Sequence, residues 1–132
     1  MNKFIMLFML SLPITSNAQC WVVGNLKGYG AISTDSYQYT EDAISSGRFK
    51  VSIDGDKAAL QNAGNSLVSG DLSYVGMSPT TMVGFYRDNE VTTVETWSIT
   101  TDNKVLYTKV INSPANFNSS KSFIGDVLTT CQ

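Results

Sequence analysis

The sequence predicts an all-β fold: a single small antiparallel β-barrel or sandwich of about eight strands, its ends tied by one disulfide. Three observations carry this reading. Short runs of β-branched and aromatic residues recur between Gly, Asn, Asp and Ser breaks, and no long stretch of residues 19–132 has the apolar spacing of a helix. The stretch Val91–Ile111, VTTVETWSITTDNKVLYTKVI, reads as two strands folded back across Thr101-Asp102-Asn103-Lys104. The only two cysteines, Cys20 and Cys131, stand at opposite ends of that domain. Connections too short for parallel crossovers make the sheet antiparallel. Consecutive strands usually pair, which favours a meandering barrel over a sandwich.

Residues 1–18 read as a cleaved signal peptide. Met1-Asn2-Lys3 is a short positive region, Phe4–Leu12 an apolar core, and Ser16-Asn17-Ala18 a small-x-small cleavage site. The apolar run falls well short of the ~20 residues of a membrane span and ends at Pro13. A lipoprotein would need a small residue directly before Cys20, where Gln19 stands instead. The expected product is a single β domain, residues 19–132, periplasmic or secreted, with no membrane span.

The full chain carries a net charge of −2, and loss of Lys3 with the leader makes it one unit more negative. Its basic residues are scattered singly, so no stripe exists to follow a phosphate backbone, and nucleic acid is not an expected partner. In an oxidising compartment Cys20 and Cys131 are expected to pair. Closing so long a loop is worth about 4–5 kcal/mol in the chain-entropy treatment. There is no histidine, so neither a metal nor another cofactor is expected.

Trp21-Val22-Val23 begins the first strand. The glycines of Gly24–Ala31 read as a turn or a bulged strand, since no helix N-terminus follows to make a phosphate loop. Glu41–Ser46 is the best helical segment, one turn at most. Phe49, Val51 and Ile53 alternate with Arg48, Lys50 and Ser52, the period of a strand with one wet face. Asp54-Gly55-Asp56 closes a hairpin to Lys57–Gln61, with Ala58 and Leu60 inward. The two aspartates lack the further oxygen ligands of a calcium loop. Asn62–Asp71 is a polar loop, Leu72–Val75 a short strand, and Thr81–Tyr86 apolar at both parities. Gly84 suggests a bend there or the close approach of another backbone.

In the central hairpin Glu95 shares the parity of Trp97 and Ile99. A carboxylate facing a core is costly, so an exposed edge position is expected for it, by a bulge or at the barrel mouth. Asn112–Ser122 is the longest polar loop, and a final strand over Ser122–Leu128 brings Cys131 back to Cys20. Long loops often carry function. Asn62–Gly70 and Asn112–Ser122 are therefore the expected partner-binding loops, with Asn112, Phe117, Asn118 and Lys121 the expected contact residues and Phe117 read first as a plug that packs the loop down.

The ending, LYTK at Leu106–Lys109 followed by FIGDV at Phe123–Val127 and then Cys131, resembles small exported bacterial proteins of no assigned activity. In architecture a short cysteine-tied β-barrel also looks like the periplasmic lysozyme inhibitors. Neither resemblance supplies catalytic residues.

Three function classes follow. An enzyme is the least supported, because without histidine or a free thiol no activated Ser or Cys nucleophile exists, and the aspartates sit in turns. A lipocalin-like carrier is the alternative, since small barrels hold apolar ligands and the chain has 2 Trp, 6 Tyr and 6 Phe. The same aromatics also serve simply to fill an interior. The preferred expectation is a non-enzymatic binding module that meets a protein partner outside the cytoplasm through polar loops, as inhibitor, immunity or accessory protein.

Overall fold

The computed structural model describes residues 18–44, 47–62, 72–115 and 117–131. Residues 1–17, read above as a signal peptide, and residues 63–71, within the stretch read as a polar loop, lie outside the described residues. Nine strands follow one another: β1 (Gln19–Ile32), β2 (Thr40–Ile44), β3 (Phe49–Asp54), β4 (Lys57–Asn62), β5 (Ser73–Ser78), β6 (Thr81–Asp88), β7 (Val91–Ile99), β8 (Lys104–Asn112) and β9 (Ser119–Thr130). From β3 onwards each pairs antiparallel with its successor, and β9 returns to β1. The result is a closed eight-stranded antiparallel barrel. No helix of the described residues is long and apolar enough to cross a membrane.

β1 is the strand on which closure depends. Its first half pairs with β3 from Gln19 to Val23, its second half pairs with β2 from Leu26 to Gly30, and β9 runs along its other edge. The change of neighbour is made at two register slips, after Val22 and after Gly24, with Asn25 in the left-handed region at φ 55°. The glycine-rich stretch is thus a bulged strand, and the bulge bends it. At Gly28 a β-carbon would run into the Ser122 carbonyl, so β1 and β9 approach closely only because that position is bare.

The expected helical turn at Glu41–Ser46 is not formed over its described part. Residues 40–44 are β2, each in register with a residue of β1. One isolated turn has too few hydrogen bonds to repay its nucleation, whereas a neighbouring strand edge satisfies the same groups at once.

The interior follows the expected alternation. Val51, Ile53 and Leu60 are buried, as are Met82, Trp97, Ile99, Val105, Tyr107 and Phe123 from the long strands. Met82 settles the faces of Thr81–Tyr86: Met82 and Gly84 point inward, Val83 and Phe85 outward. An aromatic row crosses the centre, with ring centroids 5.6 Å apart for Phe49–Trp97, 4.3 Å for Trp97–Tyr107 and 5.6 Å for Tyr107–Phe123. These rings fill the barrel by packing on one another.

The disulfide joins Cys20 in β1 to Cys131 just past β9, with Cα atoms 5.2 Å apart. The Cys131 N–H also donates to the Cys20 carbonyl at 3.0 Å, so the bond extends a ladder already in place. The thinnest seam lies between β4 and β5. Among the described residues only Lys57 and Val75 pair there, helped by the Gly76 N–H donating to the Asp56 carbonyl at 3.0 Å.

Candidate functional site

The expected binding loop is shorter than its composition suggested. β9 begins at Ser119, so four residues read as loop (Ser119, Ser120, Lys121 and Ser122) belong to a strand. What remains is a tight return. The Phe117 N–H donates to the Ser113 carbonyl at 3.0 Å, and Phe117 is partly buried. Asn118 is the clamp of the turn. Its Oδ1 accepts from the Ser113 N–H at 2.8 Å, its Nδ2 donates to the Tyr37 hydroxyl at 3.2 Å, and its backbone N–H donates to Ser33 Oγ at 3.0 Å. A polar run reads as loop from composition alone because Ser and Asn serve both turns and edge-facing strand positions.

Lys121 instead belongs to a transverse belt inside the barrel. Tyr74 on β5 is in register with Gly84 on β6, Gly84 with Glu95 on β7, Glu95 with Lys109 on β8, Lys109 with Lys121 on β9, and Lys121 with Gly30 on β1. Two glycines in this row make room for their neighbours. A β-carbon at Gly84 would lie 2.5 Å from Cε1 of the Tyr74 ring, and one at Gly30 would lie 3.2 Å from the Lys121 stem. Lys121 Nζ then reaches Asp42 Oδ2 on β2 at 3.1 Å, which ties the outlying strand to the barrel.

Glu95 is the centre of the belt, and the expectation of an exposed edge position for it is wrong. The residue is 3 % exposed, and β7 shows no register slip against either neighbour. Burial is tolerated because both oxygens are engaged: Oε1 accepts from the Tyr74 hydroxyl at 2.8 Å and from Trp97 Nε1 at 3.1 Å, while Oε2 faces Lys109 Nζ at 3.2 Å. Burial first, and then the Glu95 charge, push the Tyr74 and Tyr107 hydroxyls well above their ordinary value, so both stay protonated. A carboxylate so fully engaged is a structural anchor.

The outside of the same strands is unlike the rest of the surface. Outward positions of β6 to β9 present Thr81, Val83 and Phe85, then Thr92, Val94, Thr96 and Ser98, then Leu106, Thr108, Val110 and Asn112, then Ser120, Ser122 and Ile124. None is charged. Phe85, Val94 and Val110 lie in one cross-strand row, exposed by 50 %, 37 % and 50 %, and Leu106 pairs with Ile124 in another. Between the rows the Thr96 and Thr108 hydroxyls bond to each other. Arg87 marks one border of the wall, and the Lys104–Asp126 pair at 2.6 Å marks the other. The opposite wall, on β3 and β4, turns Lys50, Asp54 and Lys57 outward.

Of the residues singled out in the sequence, only Asn112 lies on this uncharged wall, at its rim. Asn118 and Lys121 direct their polar groups within the molecule. The wall itself is legible as the outward parity of the four strands, once the faces of β6 are known. Among the described residues no three of His, Cys, Asp or Glu converge as a metal site requires. Cys20 and Cys131 are bonded to each other. The fold and its site therefore define a disulfide-tied antiparallel barrel with a saturated polar belt inside and one uncharged wall outside. No family model, curated protein or solved structure matches the chain.

Proposed function

We propose that the protein is an exported, non-enzymatic binding module that docks onto a protein partner through the uncharged wall of β6–β9. The observation that carries the reading is the contiguity of Phe85, Val94, Val110, Leu106 and Ile124 on a surface with no charge among them. Isolated exposed apolar residues are ordinary on any protein, but a larger uncharged patch bordered by charged residues marks an interaction surface. Its partner presents an apolar, hydroxyl-rich or otherwise uncharged surface, because a charge buried against this wall would find no counterion.

Two further observations support binding over the other classes. The aromatic row packs the interior with its own side chains, which speaks against a carrier of the lipocalin type. Glu95, the most buried carboxylate among the described residues, has both oxygens engaged by Tyr74, Trp97 and Lys109 and is closed off from solvent. The disulfide is consistent with an oxidising destination such as the periplasm or the extracellular space.

A photo-crosslinking amino acid placed at Val94 or Val110, compared with one at Lys50 on the charged wall, tests this in the exporting cell. The reading expects a discrete heterologous adduct from the first two sites only, abolished by Phe85→Lys with the circular dichroism unchanged. Adducts of equal yield from both walls, or adducts with a second copy of the chain alone, reject it.

A further inference from the structure

We infer that Gln19 is a modification site: once the bond after Ala18 is cut, its new α-amine cyclises onto its own side chain and the mature protein begins with pyroglutamate. This rests on the export reading above and extends it to the chemistry of the new terminus.

Three observations place the reaction at this residue. The small-x-small pattern Ser16-Asn17-Ala18 puts Gln19 first in the processed chain, and Ala18 is exposed directly ahead of β1. Glutamine is the residue whose γ-carboxamide lies within reach of its own α-nitrogen in a five-membered ring. The third observation is structural. Residue 19 makes only the terminal pair of β1, with Ile53, while the next residue is held by the disulfide and by the Cys131 N–H on its carbonyl at 3.0 Å. Gln19 can therefore leave the ladder and fold its side chain back without unzipping the strand behind it.

The step balances without any co-reactant. The neutral α-amine attacks Cδ of the carboxamide, the new N–Cδ bond closes the lactam, the Cδ–Nε2 bond breaks, and ammonia departs with the displaced proton. The product has no titrating amine. With no free α-amine, the edge that closes the barrel is also shielded from aminopeptidases.

The test uses the full chain, leader included, expressed in an exporting bacterium and recovered from outside the cytoplasm. Intact mass and the mass of the N-terminal peptide are followed while the purified protein is held at neutral pH and 37 °C. The expected result is a chain beginning at residue 19 and lighter by one ammonia, with the loss confined to the N-terminal peptide. Pyroglutamyl aminopeptidase acting on that peptide after reduction then exposes residue 20, and Gln19→Ala shows no such loss. A chain cut before Gln19 that retains its ammonia after prolonged incubation overturns this inference and leaves the export reading intact. A chain cut between Gln19 and Cys20 likewise overturns this inference alone, whereas a chain still carrying residues 1–18 overturns both.

Discussion

The Tyr74 hydroxyl donates to Glu95 Oε1 at 2.8 Å across a strand that places nothing between them, because the intervening residue is Gly84. Tyrosine, glycine and glutamate stand on three adjacent strands in one register row. The bare middle position is what lets the ring lie flat over β6 and reach the carboxylate.

Gly84→Ala breaks this arrangement. Its β-carbon would sit 2.5 Å and 2.7 Å from two ring carbons of Tyr74, and a ring pivoting at Cβ cannot yield as the tip of a lysine does. We expect a loss of about 2–3 kcal/mol from overpacking and the broken hydrogen bond. Urea unfolding measures it. In a cycle with Tyr74→Ala the two losses should not add, and strict additivity would mean that the ring and the glycine are uncoupled.

Glu95→Leu leaves the Lys109 ammonium partnerless in a site where its side chain is 25 % exposed, together with two unanswered donors on Tyr74 and Trp97. The cost should be about 3 kcal/mol. Glu95→Leu with Lys109→Leu should recover part of it, because two apolar side chains satisfy each other where one stranded charge cannot. A double variant no more stable than the single would refute the pairing account.

Alkaline pH acts through Tyr74 and Tyr107. Both are held protonated in the folded chain above their ordinary value of 10.0, by burial and by Glu95. The unfolded chain therefore releases these two protons first as pH rises past that value, so it binds fewer protons than the folded state and stability falls. Below that pH the contribution is fully present. Tyrosinate absorbance should rise in two phases, the later one coinciding with loss of the near-ultraviolet dichroism. Tyr74→Phe and Tyr107→Phe should each reduce the later amplitude.

Acid acts on the link between β2 and the barrel. Lys121, by its hydrogen bond, holds the Asp42 carboxyl below the usual carboxylate range. The unfolded chain binds that proton first as pH drops, so the tie is present above the ordinary value of 3.8 and lost as pH falls through the folded one. The protection of the residue 40–44 amides, exchange corrected for its intrinsic pH dependence, should fall on acidification before that of β7 and β8. Asp42→Asn should show the faster exchange at neutral pH.

Replacing Cys20 and Cys131 with serine, or reducing them, should cost about 4–5 kcal/mol, since the bond closes a loop of 111 residues. Fraying should start at the outer ends of β1 and β9. A thermal midpoint unchanged by reduction would mean that the ladder alone holds this edge.

Much of the barrel was written in local pattern. The hairpin of β7 and β8 needed only its turn residues and β-branched arms. Phe49, Val51 and Ile53 gave the inner face of β3 by alternation, and Gly55 takes positive φ at 62° where the turn requires it. The belt was partly hidden. With the turn of the central hairpin fixed, Glu95 falls opposite Lys109 as surely as Trp97 falls opposite Tyr107, so an internal ion pair could have been counted out. What no count supplies is Tyr74, which stands two strands before Glu95 and depends on a glycine whose role is to be absent. β2 was lost for a related reason. Its partner lies on the far half of β1, past a bulge that changes the register.

The placement of the two cysteines has a consequence for how the gene could be written. With residues 20 and 131 neighbours in space, the polypeptide is in effect a ring, and the point at which translation enters it is a matter of convenience. A short peptide joining those ends, with a new break opened at the Asp54–Asp56 turn, would yield a circular permutant with the same eight-stranded cylinder. Such a molecule would hold by an ordinary amide the edge that now relies on sulfur, and it would fold in a reducing cytosol.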